Sequence, residues 1–494
     1  MPVRGIGRHS STHQPGGSDS ISPLMGDLDF NSYAALNLSG VGRGTNVANV
    51  VRTATVVVAA NDAATAAKAQ ADYICDGVDD QVEIQAAIDS LPNGGLVYLS
   101  EGIFHLSGKV LISKTYGVKL TGASGAYGSH GTVLKWDGGA DAALEIYAAY
   151  NTTISDISLY QDNLTTDSIG IYINGDNNPP VHGVWLERIG ITKFDVGIKL
   201  MPSDSSNQIA NFSLSDFQIS ECNIGIESNS VNIDVMKIEG GEIVVPSAGY
   251  GIVTNRIGGT NTIKSVEFAH PGPGGIAVEI PTGAISTLRL EECTSEGASY
   301  FVRVGSDAAP RLLIENSVID APIEWNGSPG IMQIENCQVN HPVELKTDAY
   351  LLMVNCWIQS TITLTSYGSF MKTINCLHVG DTINLDGGKS GWISFYDHGS
   401  PTVNITGAQA DYIKKRFRFE NSGTATITAG NTSVNVTHGL ATTPTTVQLT
   451  PTTDTAGKRY WISAKGDTTF TITIDSSHTA NISFDWRAAV GEGN

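Results

Sequence analysis

One short phrase, an aliphatic residue leading directly or through one Glu into Asn and a small residue, recurs at near-constant spacing and limits this chain to very few folds. Its clearest copies are Leu312-Leu313-Ile314-Glu315-Asn316-Ser317, Met332-Gln333-Ile334-Glu335-Asn336-Cys337, Leu352-Met353-Val354-Asn355-Cys356 and Lys372-Thr373-Ile374-Asn375-Cys376. Asn316, Asn336, Asn355 and Asn375 are spaced 20, 19 and 20 residues apart. Cys293, Ser317, Cys337, Cys356 and Cys376 follow at 24, 20, 19 and 20. Looser copies lie upstream, at Leu186-Glu187-Arg188-Ile189, Leu214-Ser215-Asp216-Phe217 and Lys237-Ile238-Glu239-Gly240. A repeat of this length means a solenoid, because one copy cannot bury its apolar side except against its neighbours. Stacked coils sit about 4.8 Å apart, so equivalent positions form columns. The Asn column predicts a ladder in which Asn side chains bond backbone groups of adjacent turns, and the Cys column predicts stacked thiols acting as small buried hydrophobes.

Composition agrees with many short strands. The 494 residues are 41% hydrophobic and 16% charged, with 54 glycines and 13 phenylalanines. The net charge of −20 argues against a nucleic-acid partner, which needs a clustered positive field. The one basic run, Lys414-Lys415-Arg416-Phe417-Arg418-Phe419, reads as a seam between domains. Six cysteines without a CxxC pair suit neither a disulfide scaffold nor a zinc site. No metal and no cofactor is expected. The N-terminal residues lack the apolar core of a secretory signal, and no stretch approaches 18 apolar residues, so no membrane insertion is expected.

Three segments follow. Residues 1–50, rich in Ser, Gly and Asn, read as an attachment arm. Residues 51–415 read as the solenoid with its cap. Residues 416–494 alternate Thr-rich strands with turns and read as a C-terminal antiparallel, sandwich-like β-module. In the cap, Ile84, Ala87, Ile88 and Leu91 fall on one helical face, and Asp80 with Glu83 forms a candidate capping box. Pro92-Asn93-Gly94-Gly95 stops that helix, and Leu96–Leu99 and Ile103–Leu106 read as strands.

The stretch DGVDDQVEIQAAIDSLPNGGLVYLSEGIFHLSGKVLI resembles the first segment of the pectate-lyase-like superfamily, whose members include phage tail spikes. The resemblance implies an all-β chain: a right-handed parallel β-helix with a short N-terminal cap helix. Val436-Thr437-His438-Gly439-Leu440, with Phe484-Asp485-Trp486, also resembles the terminal module of some phage tail proteins. These resemblances imply a virion tail spike, extracellular after release and homotrimeric. Its partners would be a cell-surface polysaccharide and, through the arm, a virion tail or baseplate protein.

Glycan hydrolysis needs two carboxyl groups, about 5–5.5 Å apart for retention and about 6.5–9.5 Å for inversion. The sequence offers two acidic columns. Glu187, Asp216 and Glu239 are the candidate catalytic residues, because they lie beside the apparent insertions at 160–180 and 201–210 that could wall a groove. Glu267, Glu291, Glu315 and Glu335 read as architecture. Arg188, beside Glu187, is the only hint of a lyase base, and the ordered polygalacturonase-like set is absent. Trp136, Trp185, Trp325, Trp357 and Trp392 are candidate stacking platforms for sugar rings. A receptor-binding spike, a polysaccharide hydrolase or lyase, and a non-catalytic structural or adhesive fibre all remain open at this point.

Overall fold

The computed structural model describes residues 55–494, except 115, 125–130, 176–179, 202–207, 229–232, 234, 270–273, 283–284, 367, 386–390, 396, 400, 406–419, 441–442 and 491–494. The proposed arm, the basic run and most of the segment 201–210 lie outside these residues.

The solenoid is a parallel β-helix. Strands pair in parallel with their counterparts one coil on: Leu186 opposes Leu214, Leu214 opposes Ile238, and Ile238 opposes Ile263. The same column continues inward through Leu290, Ile314, Ile334 and Met353. Every member is fully buried. Like aliphatic stacks on like, and each fully buried side chain of this kind contributes about 1.5–3 kcal/mol.

Several corners among the described residues are made by single residues. Arg188 (φ 52°) and Lys193 (φ 66°) bend one strand, Val181–Leu200, through two corners, the register to the preceding coil holding across the first and shifting at the second. Asp156, Asp216, Gly240, Ser265, Glu292, Asn316, Asn336, Asn355 and Asn375 all have φ between 50° and 63° and occupy the first of these corners in other coils. Asn tolerates this left-handed conformation better than most residues, which explains why the phrase ends in Asn. The column is present, but its partners differ from the expected backbone groups: Asn355 Nδ2 donates to Asn336 Oδ1 at 3.1 Å, and Asn375 Nδ2 to Asn355 Oδ1 at 2.9 Å. The bonds run between side-chain amides, with backbone N–H groups of the same residues reaching the next coil. The cysteines are free and buried. Burial pushes the Cys293 and Cys337 thiols up to about 11.

Two local expectations need correction. The cap helix forms over Gln81–Asp89 with Ile84, Ala87 and Ile88 buried, but the capping box does not form. Asp80 instead accepts the backbone N–H of Gly77 at 2.9 Å and of His105 at 2.7 Å, clasping the helix to the first coil. The second concerns the insertion expected at 160–180, which is a bulge inside a strand rather than a separate loop. Tyr150–Asn174 is one strand, but Tyr160, Thr165 and Ile169 oppose Thr192, Phe194 and Val196, so extra residues bulge out between Tyr160 and Ile169.

The C-terminal module has two three-stranded antiparallel sheets. Thr446–Pro451 and Glu420–Ile427 flank Ile482–Ala489, while Ser433–Thr437 and Tyr460–Lys465 flank Thr469–Ile474. Phe470, Phe484 and Trp486 pack in its core. His438 is buried there and bonds the Gly466 carbonyl and the Leu440 N–H, a structural role.

Candidate functional site

Alternation along a strand decides which side chains leave the helix. Val184 and Leu186 point inward, so Trp185 and Glu187 point out. Register carries that pair through the next coils: Trp185 opposes Ser213, and Glu187 opposes Ser215. Ser213 then opposes Lys237, and Ser215 opposes Glu239. The middle coil therefore presents two serines between a Trp–Glu pair and a Lys–Glu pair. This makes a low saddle with larger side chains on both sides.

Glu187 and Glu239 are thus brought into one column, two coils apart, which is about 9.6 Å at the backbone. Asp216 is not in that column. It stands one position later, at the corner, in line with Arg188 and Asp156. The reason is register: the inward Leu214 fixes Ser215 outward and leaves Asp216 at the bend.

Each carboxylate has a cation. Lys237 Nζ reaches Glu239 at 2.7 Å, and Arg188 reaches Glu187 at 3.6 Å. Arg188 is held mainly by Asp156, in a two-pronged contact at 2.6 and 2.8 Å. That guanidinium keeps the Asp156 carboxyl below the usual range. At one edge of the face, Tyr150 and His182 stack with ring centroids 5.3 Å apart. Trp185 is 36% exposed, whereas Trp136, Trp325 and Trp392 are buried and serve the core. Of the five candidate platforms, only Trp185 and Trp357 are free to stack on a ligand.

The other acidic column also needs correction. Glu267 opposes Thr294, and its expected place is taken by Lys264, which opposes Glu291. Lys264 meets Glu291 at 2.9 Å, and Arg289 bonds both Glu291 and Glu315. Interleaved cations hold this column together, an architectural role. In the cap, Cys75, Asp80 and Glu83 bring ligand atoms within 4.8 Å of one another. Burial pushes the Cys75 thiol up, and Asp80 is already committed to backbone donors, so the donor set does not suit a metal ion.

Sequence reasoning missed Ser213, Ser215 and Lys237, because no motif marks a small residue as a gap until its neighbours in the column are known.

No family model and no curated protein matches this chain. Among solved structures, it is similar to the tailspike protein gp49 from Pseudomonas phage LKA1, at 12% identity over 89% of this chain and 67% of that one, TM-score 0.34. It is similar to the tailspike gp61 of Pseudomonas phage phi297, at 9% identity over 83% and 92%, TM-score 0.38. It is also similar to the A-module of the Azotobacter vinelandii mannuronan C-5 epimerase AlgE4, at 16% identity over 67% and 95%, TM-score 0.35. The fold assignment rests on the strand register described above.

Proposed function

We propose that this chain is a virion tail spike that binds a host-surface polysaccharide on the outer face of its β-helix, at the saddle between Glu187 and Glu239. The observation that carries the reading is the serine pair. Ser213 and Ser215 leave a low strip between Trp185, Glu187, Lys237 and Glu239. A sugar ring lying there has an aromatic face at one end and hydrogen-bonding carboxylates on both sides. Asp216 borders the strip at the corner.

A second reading is hydrolysis, favoured by the two-coil separation of Glu187 and Glu239. That backbone spacing lies just beyond the inverting range of about 6.5–9.5 Å between carboxyl groups, which leaves room for a water opposite the leaving group. In that reading one Glu protonates the leaving oxygen and the other activates the water, while Asp216 stays with Arg188 as a positioning residue.

The proposed particle is a homotrimer tethered to a tail or baseplate protein through residues 1–50. Supporting self-association, Trp357 and Leu377 face each other in register on the last coils, and both are more than 40% exposed. Sedimentation giving a stable monomer at micromolar concentration would remove the trimer.

The test of the site is to titrate the protein with purified surface polysaccharides of candidate hosts and follow binding and new reducing ends. Ser215→Leu, which fills the saddle, and Trp185→Ala should each weaken polysaccharide binding by removing the saddle contact. Undiminished binding in both variants removes the site. Product formation that is lost in Glu187→Gln and Glu239→Gln, by about 10²–10⁴-fold in rate, establishes hydrolysis. Binding without product leaves a receptor-binding spike.

A further inference from the structure

A second recess, of about 430 Å³, opens on a different face of the helix, around Tyr300, Pro322, Glu324, Pro342 and Glu344. Its size lies within the range of small-ligand sites. Two corners of each coil separate this face from the saddle.

Register builds the recess. The outward column runs Glu279, Arg303, Glu324, Glu344, Thr363. Pro322 and Pro342 stack one coil apart, each accepting a backbone N–H from the coil before, of Phe301 at 2.8 Å and Ile323 at 2.9 Å. Two stacked pyrrolidine rings beside the Tyr300 ring make a flat apolar floor.

The walls are polar and mostly fixed in place. Arg303 donates to Glu279 at 2.7 Å and lies over the rings of both Tyr250 and Tyr300, at 6.0 and 5.9 Å. That sandwich holds the Tyr300 ring in position. Glu324 takes three donors: Lys346 at 2.8 Å, Asn326 at 2.7 Å and the Tyr300 hydroxyl at 3.3 Å. These partners outweigh burial and hold its carboxyl below the usual range. Glu344 has a looser contact with Lys346, at 3.4 Å, and is 39% exposed. It therefore keeps acceptor capacity toward the recess.

We infer that this recess binds a single neutral pyranose unit, with the ring's C–H face on Tyr300 and the prolines and its hydroxyls donating to Glu344. Glu279, Glu324 and Glu344 outnumber Arg303 and Lys346, so the local charge is negative. A uronic acid or other anionic sugar meets repulsion there. The inference rests on the glycan reading above and adds a second contact site with a stated selectivity.

The test uses the full chain in calorimetric titrations. The probes are neutral gluco-, galacto- and manno-configured oligosaccharides and the matching uronic-acid oligosaccharides. The expected result is that Glu344→Ala and Tyr300→Ala each weaken the neutral sugar at one site by about tenfold or more, while Trp185→Ala leaves that site intact. Glu344→Gln, which keeps the shape, should admit the uronic-acid probe. Melting curves identify any variant that fails to fold. Neutral binding unchanged in Glu344→Ala and Tyr300→Ala but lost in Trp185→Ala overturns this inference and leaves the saddle standing. Loss in Glu344→Ala with no effect of Trp185→Ala or Ser215→Leu supports the recess and removes the saddle. Uronic-acid probes bound as tightly as neutral ones by the native chain overturn the selectivity, and no binding of any probe overturns the inference.

Discussion

His378 Nδ1 stands 2.7 Å from Asp381 Oδ2 inside the last coils, with both side chains sealed from solvent. The other ring nitrogen lies 3.5 Å from Asp397. Asp397 also accepts the Cys376 N–H at 2.7 Å, the Ser394 hydroxyl at 2.8 Å and the Thr373 hydroxyl. Trp392 closes the cluster, edge-on to His378. A buried imidazole between two buried carboxylates ties the end of the aliphatic column to the final turn.

That cluster predicts how stability depends on pH. Burial alone would lower the His378 pKa, but hydrogen bonds and charges from Asp381 and Asp397 outweigh it and raise the value to about 9. A raised value means the folded state holds the proton more tightly. The contribution is complete below the ordinary value of about 6.5 and fades as pH climbs through about 9. Burial would raise Asp397, yet His378 and the other donors hold it below the usual carboxylate range. Its contribution is present above about pH 3.9 and is lost as pH falls through the depressed value. Urea denaturation at a series of pH values should therefore show a plateau with an alkaline fall near pH 9. His378→Gln strands two buried carboxylates, costs about 3–5 kcal/mol at pH 7 and flattens the alkaline limb. Equal stability of the native chain at pH 7 and pH 10 sinks the account.

The corner ladder makes a separate prediction at Asn355. Its φ is 53°, and its amide bonds both Asn336 and Asn375. Alanine there pays for the left-handed backbone and loses two amide bonds, about 2–3 kcal/mol in all. Glycine loses only the bonds, so Asn355→Gly should keep roughly half of that. Chemical denaturation midpoints decide it: equal losses in the two variants mean that the conformation is not what selects Asn.

Two tryptophans two coils apart should behave oppositely. Trp325 is fully buried and donates its indole N–H to the Gly327 carbonyl at 2.7 Å. Trp325→Ala should cost about 3–5 kcal/mol through the cavity it leaves. Trp357 is 44% exposed, and Trp357→Ala should change the stability of the isolated chain by about 0.5 kcal/mol or less. Comparable losses in thermal melts of the two variants contradict the assignment of one to the core and the other to the surface.

The repeat alone determined the solenoid, the Asn column and the thiol column, because each follows from a fixed spacing; that the Asn column marks a corner came only from the backbone conformation. The amphipathic face of the cap helix was equally legible. The site was not. In the upper coils the offsets between paired residues vary: Leu186 to Leu214 spans 28 residues, Leu214 to Ile238 spans 24, and Ile263 to Leu290 spans 27. Single left-handed residues absorb these differences at corners whose positions no spacing reveals. A slip of one residue moves a side chain from the outer face to the bend or the core. That is why Asp216 left the column it shared by phrase with Glu187 and Glu239, and why Lys264 displaced Glu267. The serine saddle and the Tyr300 recess are products of register too. Each is a gap between side chains on different coils, and only the tertiary stacking decides which small residue comes to lie between which large ones.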